Sequence, residues 1–324
     1  MITIYLANES GVQPVELTES NQDILKKALW IDLLSPTTQE EKLVEKYIGI
    51  EVPTKEEMIE IEPSSRLYKE KNALFMTASM VAQSESTEPK IDAVTFILLA
   101  QQLITIRYVE PHSFKHFIAY LSRLDTNEYN PQMMLVGLLE PTTDRLADIL
   151  EKVSHQIDQA SQMIFRANPP SRKKIDYKIV LQNIGANGDL ATKVRESLVS
   201  FNRLVSFFEQ TYSLKLDQNI QTRLKLIMND INSLGDYATF ISNKVSFLLD
   251  ATLGMISIDQ NNTIKIFSVA AVIFLPPTLI ASIYGMNFTH MPELHWYFGY
   301  PMAVALMVIS AWLPFRYFKK KKWL

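Results

Sequence analysis

The C-terminal end of the chain is strongly apolar. Residues 266–315 comprise fifty positions with no Lys or Arg and a single acid, Glu293. Two segments at this end, 266–284 and 296–318, would be about 28 Å and about 34 Å long as α-helices. Both lengths suit the hydrocarbon core of a bilayer, which is about 30 Å thick. The pattern therefore predicts two membrane spans, and a buried helical hairpin of a soluble protein is the alternative.

The residues that flank the two spans predict their orientation. Lys265 precedes the first span, lysines at 319–322 follow the second, and the connecting loop 285–295 has no Lys or Arg. Because positive residues favour the cytoplasmic side, both termini are expected in the cytoplasm, with a bacterial inner membrane as the location. The lysine tail would act at the inner leaflet, as a lipid anchor or as a gate element. Aromatic residues suited to the membrane interfaces lie near both ends of the second span: Trp296, Tyr297, Tyr300, Trp312, Tyr317 and Trp323.

The first 130 residues mix short β-like runs with helical segments. Runs at 2–6, 30–33, 74–82, 93–99 and 103–108 predict strands, and the last two are close enough to form a hairpin. Ser35 followed by Pro36, with Glu40 and Glu41 in the first turns, predicts a helix over 36–48 with Ser35 as its N-cap. This part is expected to be an α/β domain.

Helical spacing of apolar residues replaces the β signals from residue 131 onward. Segments 132–166 and 175–216 are predicted to form a helical hairpin, interrupted at 168–171 by two prolines. A third helical pattern runs from Asn219 into the first span; up to Tyr284 it would hold 66 residues and measure about 99 Å. So long a helix has to bury its apolar stripe against the hairpin or against copies of itself, which predicts an oligomer with a stalk.

The expected fold class is α+β, and the division of the chain follows from these elements. Residues 1–130 form a cytoplasmic α/β domain, 131–218 the helical hairpin, and 219–284 the stalk helix with the first span (266–284). An outer loop (285–295), the second span (296–318) and a basic cytoplasmic tail (319–324) follow.

Composition and motifs exclude several classes of function. Residues 1–264 carry 26 basic and 34 acidic residues, net −8, without the basic stripe that nucleic acid requires. The absence of Cys excludes disulfides, thiolate metal sites and cysteine nucleophiles. No GxSxG, HExxH or P-loop pattern is present, so no enzyme activity is expected. His112 and His116 could share a helix face as metal ligands, but the sequence offers no clear third ligand.

One face of the first span combines small, polar and apolar residues. In a membrane, such a face either packs against other helices or lines a water-filled path. Two spans cannot enclose a path, so a pore would need several subunits; Thr278 and Asn287 would then form rings of oxygen ligands, with apolar constrictions between. Intervals of three or four residues connect the members of this face, which we call the pore stripe: Asn261, Ile264, Phe267 (or Ser268), Ala271, Leu275, Thr278 and Ser282.

The two spans and their loop also carry specific motifs. These are Phe274-Leu275-Pro276-Pro277-Thr278, Tyr284-Gly285-Met286-Asn287-Phe288, Met291-Pro292-Glu293-Leu294, Phe298-Gly299-Tyr300-Pro301 and the tail from Tyr317 to Leu324. With them the chain resembles CorA-type magnesium transporters, whereas upstream the resemblance is one of layout. The resemblance implies a funnel-shaped homopentamer that conducts divalent cations.

The resemblance implies a path for Mg²⁺ from the outer loop inward. Gly285, Met286 and Asn287 would be the selectivity filter for the hydrated ion, which gives up its water reluctantly. Glu293 would concentrate cations at the entrance. An inside-negative potential would drive entry, since a divalent ion gains about 4.6 kcal/mol per 100 mV.

Deeper in the membrane, the resemblance implies that Thr278 and Asn261 are pore rings. It also makes Ile264, Phe267 and Leu275 an apolar neck.

The resemblance further implies that cytosolic Mg²⁺ closes the channel by binding between acids of neighbouring subunits. Asp230 on the stalk is the best match, while Glu85 or Glu88 would have to replace the Asp expected in the N-terminal domain. Co²⁺ and Ni²⁺ are further expected ions. A zinc transporter on the same scaffold is an alternative, supported by His290 and His295 but opposed by Met at position 286. A membrane-anchored sensor without conduction is another.

Overall fold

The computed structural model of the chain describes residues 1–8, 11–17, 22–60, 62–86, 88–121, 130–165, 176–212, 216–287, 291–321 and 323. It divides into two units, Met1–Leu248 and Leu249–Leu324. The strands are β1 (Ile2–Asn8), β2 (Gly11–Glu16), β3 (Trp30–Leu34), β4 (Leu67–Glu70), β5 (Ala73–Ala82), β6 (Lys90–Leu98) and β7 (Leu103–Arg107). The α-helices are α1 (Thr38–Ile48), α2 (Lys55–Ile59), α3 (Pro63–Arg66), α4 (His112–Leu121), α5 (Pro131–Phe165), α6 (Tyr177–Tyr212), α7 (Gln218–Tyr284) and α8 (Gly299–Lys320). Two 3₁₀ helices cover Gln22–Lys27 and Pro292–His295.

The seven strands form one mixed sheet in the order β2-β1-β3-β7-β6-β5-β4. Neighbouring strands are antiparallel except for β3 and β7, which are parallel. Residues of α1, α2 and the first 3₁₀ helix share a core with the sheet, while α5 and α6 also contact it. Because both faces are covered, β5 and β7 are buried along their whole length, which explains their continuous apolar runs.

The predicted strands and the β6–β7 hairpin are confirmed, but the predicted N-cap is wrong. Helix α1 begins at Thr38, and Thr37 caps it in a capping box with Glu40. Ser35 instead has a φ of 44° and donates its N–H to the carbonyl of Arg107 at 2.8 Å. Because Ser35 pairs with the end of β7 in the folded chain, it does not serve as the N-cap that the local sequence favoured.

A buried ion pair joins the parallel strands β3 and β7. The carboxylate of Asp32 accepts hydrogen bonds from Arg107 Nη2 at 2.7 Å and from the Thr105 hydroxyl at 2.7 Å. Trp30 Nε1 donates to the same hydroxyl at 2.9 Å, and the guanidinium lies 4.7 Å from the centre of the Phe114 ring. The Arg107 side chain is only 7% exposed and the Asp32 side chain only 3% exposed. Each of these side chains therefore supplies a hydrogen bond that a buried neighbour needs.

Helices α5 and α6 form the predicted hairpin, although its predicted interruption at 168–171 lies outside the described residues. Both helices contact the first part of α7: Glu140 on α5 pairs with Arg223, and Asn202 on α6 donates to Asn232 at 2.6 Å. The hairpin of the same chain therefore supplies a partner for the stalk. The buried residues of α7 in this unit recur every three or four positions, with a longer step after Ile231: Ile220, Leu224, Ile227, Ile231, Ala238, Ile241, Val245 and Leu248.

The second unit contains the end of α7, the second 3₁₀ helix and α8. Both α7 and α8 are long and apolar enough to cross a membrane. Helix α8 begins at Gly299 because the chain first turns through Pro292–His295, where the Trp296 N–H donates to the Glu293 carbonyl at 3.2 Å. A Cβ at Gly299 would collide with that same carbonyl oxygen, so this close approach requires glycine.

Candidate ion pathway

The membrane part of α7 has two distinct faces. Successive residues of an α-helix are about 100° apart around its axis. On this basis the buried and half-buried residues between 261 and 284 all lie within an arc of about 120°. The pore stripe occupies an arc of similar width on the opposite side. Every residue of the pore stripe is exposed in the single chain. The covered arc consists of Val269, Ala270, Ile273, Pro276, Pro277, Ile280 and Tyr284.

A matching seam runs along α8. Its buried and half-buried residues also recur every three or four positions, and we infer that the two seams pack against each other. In this arrangement the back of α7 would face its own second helix, while the pore stripe stays exposed. The residues of the α8 seam are Gly299, Met302, Ala303, Met307, Ser310, Ala311, Pro314 and Phe318.

The chemistry of the pore stripe changes along its length. Toward Tyr284 it holds the small or hydroxylated Ala271, Thr278 and Ser282, with Leu275 among them, whereas Phe267 and Ile264 toward the start of the span are bulky and 72% and 61% exposed. The Thr278 hydroxyl donates to the carbonyl of Phe274 at 2.7 Å. Because its proton is used there, the hydroxyl oxygen faces outward as an acceptor, which suits the water of a hydrated cation.

The end of α7 presents the predicted filter residues to solvent. The helix ends at Tyr284, and the N–H groups of Gly285 and Met286 still donate to the carbonyls of Ala281 and Ile283 at 2.9 and 3.2 Å. Gly285 is not among the residues with positive φ, so it does not end the helix in a left-handed conformation. A Cβ at Gly285 would instead lie 3.0 Å from the Ala281 carbonyl, which leaves little space for a larger residue.

Asn287 follows directly and is exposed. In the part of the chain that the structure describes, no hydrogen bond is recorded for its side-chain amide. Glu293 and His295 lie in the outer 3₁₀ helix, while Phe288, Thr289 and His290 are outside the described residues. The structure therefore leaves the Asn287 side chain accessible, and the predicted pairing of His290 with His295 lies outside the described residues.

The structure pairs Glu85 with a cation of its own chain. Arg145 Nη2 donates to the Glu85 carboxylate at 2.9 Å and to the Ser84 hydroxyl at 2.9 Å. The hydrogen bond from Arg145 and its charge, with a smaller effect of Lys152, lower the pKa of Glu85. Glu88 is exposed, and its backbone N–H donates to the Ser86 hydroxyl. Of the two proposed substitutes, Glu88 thus has the freer carboxylate among the described contacts.

Asp230 lies near acids on α5 that sequence reasoning missed. Burial, followed by the charges of Glu140, Asp148 and Asp230, raises the pKa of Asp144. The spacing of Glu140, Asp144 and Asp148 at four residues was a usable signal, because it places them on one helix face. Among the residues described, no group of three or more potential ligands within this one chain is arranged to hold a metal ion.

The His112–His116 pair gains no third ligand in the structure. The two ring centres are 4.8 Å apart on the exposed side of α4. The described residues near them complete no group of three potential metal ligands.

Comparison with known proteins places these features in a family. The family model described as "CorA-like Mg2+ transporter protein" matches residues 26–320. The magnesium transport protein CorA of Yersinia pseudotuberculosis is 33% identical over all 324 residues of both chains. That of Wolinella succinogenes is 36% identical over 300 residues, which are 91% of each chain.

Solved structures show the same fold. The complete CorA magnesium transporter of Methanocaldococcus jannaschii superimposes with a TM-score of 0.77 at 17% identity, covering 100% of this chain and 99% of that one. The full-length CmaX protein gives 0.72 at 15% identity, with 100% and 98% covered. The expected fold, with an N-terminal α/β domain, a very long helix and two C-terminal apolar helices, is confirmed. The chain belongs to the CorA-like Mg²⁺ transporter family.

Proposed function

We propose that the chain forms a homopentameric channel through which the membrane potential drives Mg²⁺ into the cell, with Co²⁺ and Ni²⁺ as further permeant ions. The family is one of transporters, and the chain is not an enzyme. The observation that carries the proposal is the division of α7 into a covered seam and an exposed pore stripe, with the exposed Asn287 shortly after the end of the helix. A helix that only anchored the protein would not need an uncharged polar face directed away from its own partner helix.

The filter would act on the hydrated ion. Mg²⁺ dehydrates reluctantly and keeps several waters when it binds to proteins. A ring of Asn287 amides, one from each subunit, would accept hydrogen bonds from those waters. Thr278 would offer a second ring of acceptor oxygens deeper in the membrane. Glu293 would raise the local cation concentration at the entrance.

We further propose that both termini are cytoplasmic and that cytosolic Mg²⁺ closes the channel. The lysines on either side of the spans support this orientation. Asp230 of one subunit, with Glu88 or Glu85 of the next, would bind the regulatory ion. The acids beside Asp144 support it, because their mutual repulsion is of the kind that a bound divalent cation relieves.

Ion flux into liposomes tests this proposal against its alternatives. The purified full-length protein is reconstituted, an inside-negative potential is imposed, and entry of Mg²⁺, Co²⁺, Ni²⁺ and Zn²⁺ is followed with indicator dyes after regulatory Mg²⁺ is removed. Saturable Mg²⁺ entry that collapses without the potential is the expected result. Zn²⁺ entry without Mg²⁺ entry would make the protein a zinc transporter, and an inserted oligomer without any flux would make it a sensor.

The apolar neck yields a separate prediction. Leu275→Asn is expected to increase Mg²⁺ flux about tenfold under conditions that close the native channel, because a polar ring keeps water in a constriction that apolar rings dewet. Ile273→Asn is the matched control at the same depth: it lies on the covered seam and should not raise flux. Equal flux from both variants would show that Leu275 does not face the pathway.

A further inference from the structure

A basic and aromatic cluster joins the start of the first span to the end of the chain. Lys265 on α7 places its Nζ 5.9 Å from the centre of the Trp323 ring. That ring stacks on Phe318 at 5.6 Å, and the backbone N–H of Trp323 donates to the Phe318 carbonyl at 3.1 Å. Lys321 lies 5.3 Å from the Tyr317 ring. Two segments that are distant in sequence are therefore held together at one end of the two apolar helices.

The cluster carries a concentrated positive charge. Its described cations are Lys265, Arg316, Lys319, Lys320 and Lys321, and all five are exposed. None of them takes part in a salt bridge recorded for the described residues. Between residues 260 and 324 the sequence has a single acid, Glu293, in the loop that connects the opposite ends of the helices. When the negative charge of Asp259 is subtracted, the cluster still has a clear excess of positive charge.

The position of the cluster indicates what binds there. Lys265 is the last charged residue before the apolar stretch 266–315, and Arg316 is the first after it. These side chains thus lie at the depth of the phospholipid headgroups once the helices span a bilayer. Aromatic rings with one polar edge favour the same depth. An anion that meets several lysines and exposed rings at this boundary is a lipid phosphate.

We propose that Lys265, residues 316–321 and Trp323 form a binding site for anionic phospholipids of the cytoplasmic leaflet. The phosphate group would lie between the first-span lysine and the lysines of the tail, and the Tyr317 and Trp323 rings would flank the glycerol and upper acyl chain. A bound lipid would hold the tail against the start of the first span. The inference rests on the membrane insertion and orientation in the proposed function, and conduction is not required for it.

Lipid binding to the purified full-length protein tests the site without ion flux. Phosphatidylglycerol and phosphatidylcholine with the same acyl chains are titrated into the detergent-solubilised oligomer, and bound lipids are counted by native mass spectrometry. We expect the native chain to prefer phosphatidylglycerol by about tenfold or more, because each lysine near an anionic headgroup contributes about a fivefold gain in affinity. Equal binding of both lipids would overturn the proposal.

Variants separate this site from general electrostatic attraction. The triple change Lys319→Gln, Lys320→Gln and Lys321→Gln is expected to remove most of the preference, while changing the same three residues to Arg should retain it. Lys42→Gln, Lys69→Gln and Lys225→Gln together remove the same charge from exposed positions of the first unit and should leave the preference intact.

Two outcomes would contradict the proposal. One is that the triple Lys→Gln variant of the tail prefers phosphatidylglycerol as strongly as the native chain does. The other is displacement of phosphatidylglycerol by inorganic phosphate at equal concentration, which would assign the cluster to a free anion. A protein that binds lipid in this way but conducts no Mg²⁺ would refute the proposed function and leave this inference standing.

Discussion

Asn287→Ala is expected to reduce saturable Mg²⁺ entry into proteoliposomes by about a hundredfold or more. In a pentamer the change removes five amide groups from the filter, and each hydrogen bond to a hydration water is worth about 0.5–1.5 kcal/mol. Since about 1.4 kcal/mol corresponds to a factor of ten, the loss of even two or three such bonds would account for this effect. The measurement is initial Mg²⁺ flux at a fixed inside-negative potential.

The change should leave the assembly intact, which makes the result interpretable. Asn287 is exposed, and its side chain makes no hydrogen bond recorded within the described part of the chain. Asn262→Ala is the matched control, because Asn262 is also exposed on α7 but lies opposite the pore stripe. Its flux should be close to native. Unchanged flux in Asn287→Ala, with the oligomer recovered normally, would refute a filter at Gly285, Met286 and Asn287.

Arg107→Leu is expected to destabilise the first unit by about 3–5 kcal/mol. The change leaves the Asp32 carboxylate buried with a single described side-chain donor, the Thr105 hydroxyl, and an uncompensated buried charge costs about that much. For a unit of this size, about 1 kcal/mol lowers the melting temperature by about 2–4 °C. A fall of about 10 °C or more is therefore expected in thermal unfolding of the full-length protein in detergent.

An exposed ion pair provides the control for this prediction. Lys193 donates to Asp189 one turn away on α6 at 2.6 Å, and the Asp189 side chain is 60% exposed. Lys193→Leu should cost about 1 kcal/mol or less, because water solvates the Asp189 carboxylate that loses its partner. Changing Asp32 and Arg107 together to apolar residues should recover part of the loss. A melting temperature of Arg107→Leu equal to that of Lys193→Leu would contradict the argument.

Several features of the fold could be predicted from sequence because their causes are local. A membrane span requires about twenty consecutive apolar residues, so both spans are visible in the sequence. Strands that are largely buried are rich in apolar residues, and β5, β6 and β7 were predicted from the β-like runs at 74–82, 93–99 and 103–108. The edge strands β2 and β4 were missed, since they are short and include residues such as Pro14 and Lys69 that do not favour a strand.

Features that depend on distant residues could not be predicted in this way. Asp32 and Arg107 lie 75 positions apart, and neither lies in a sequence pattern that predicts a buried ion pair. The same holds for Glu85, which the sequence offered as a metal ligand and which the structure pairs with Arg145, 60 positions away. Only the folded chain shows which partner a charged side chain meets.

The sequence by itself determined the two apolar spans, the Gly285-Met286-Asn287 motif and the family, because all three depend on continuous segments near the C-terminus. The tertiary structure alone decided which side of α7 is covered and which side, with Thr278 and Leu275, is exposed. Periodicity places residues on a common helix face, but it cannot tell a packing seam from a pore lining when both are apolar and small. That distinction depends on where α8 packs, which is a property of the folded chain.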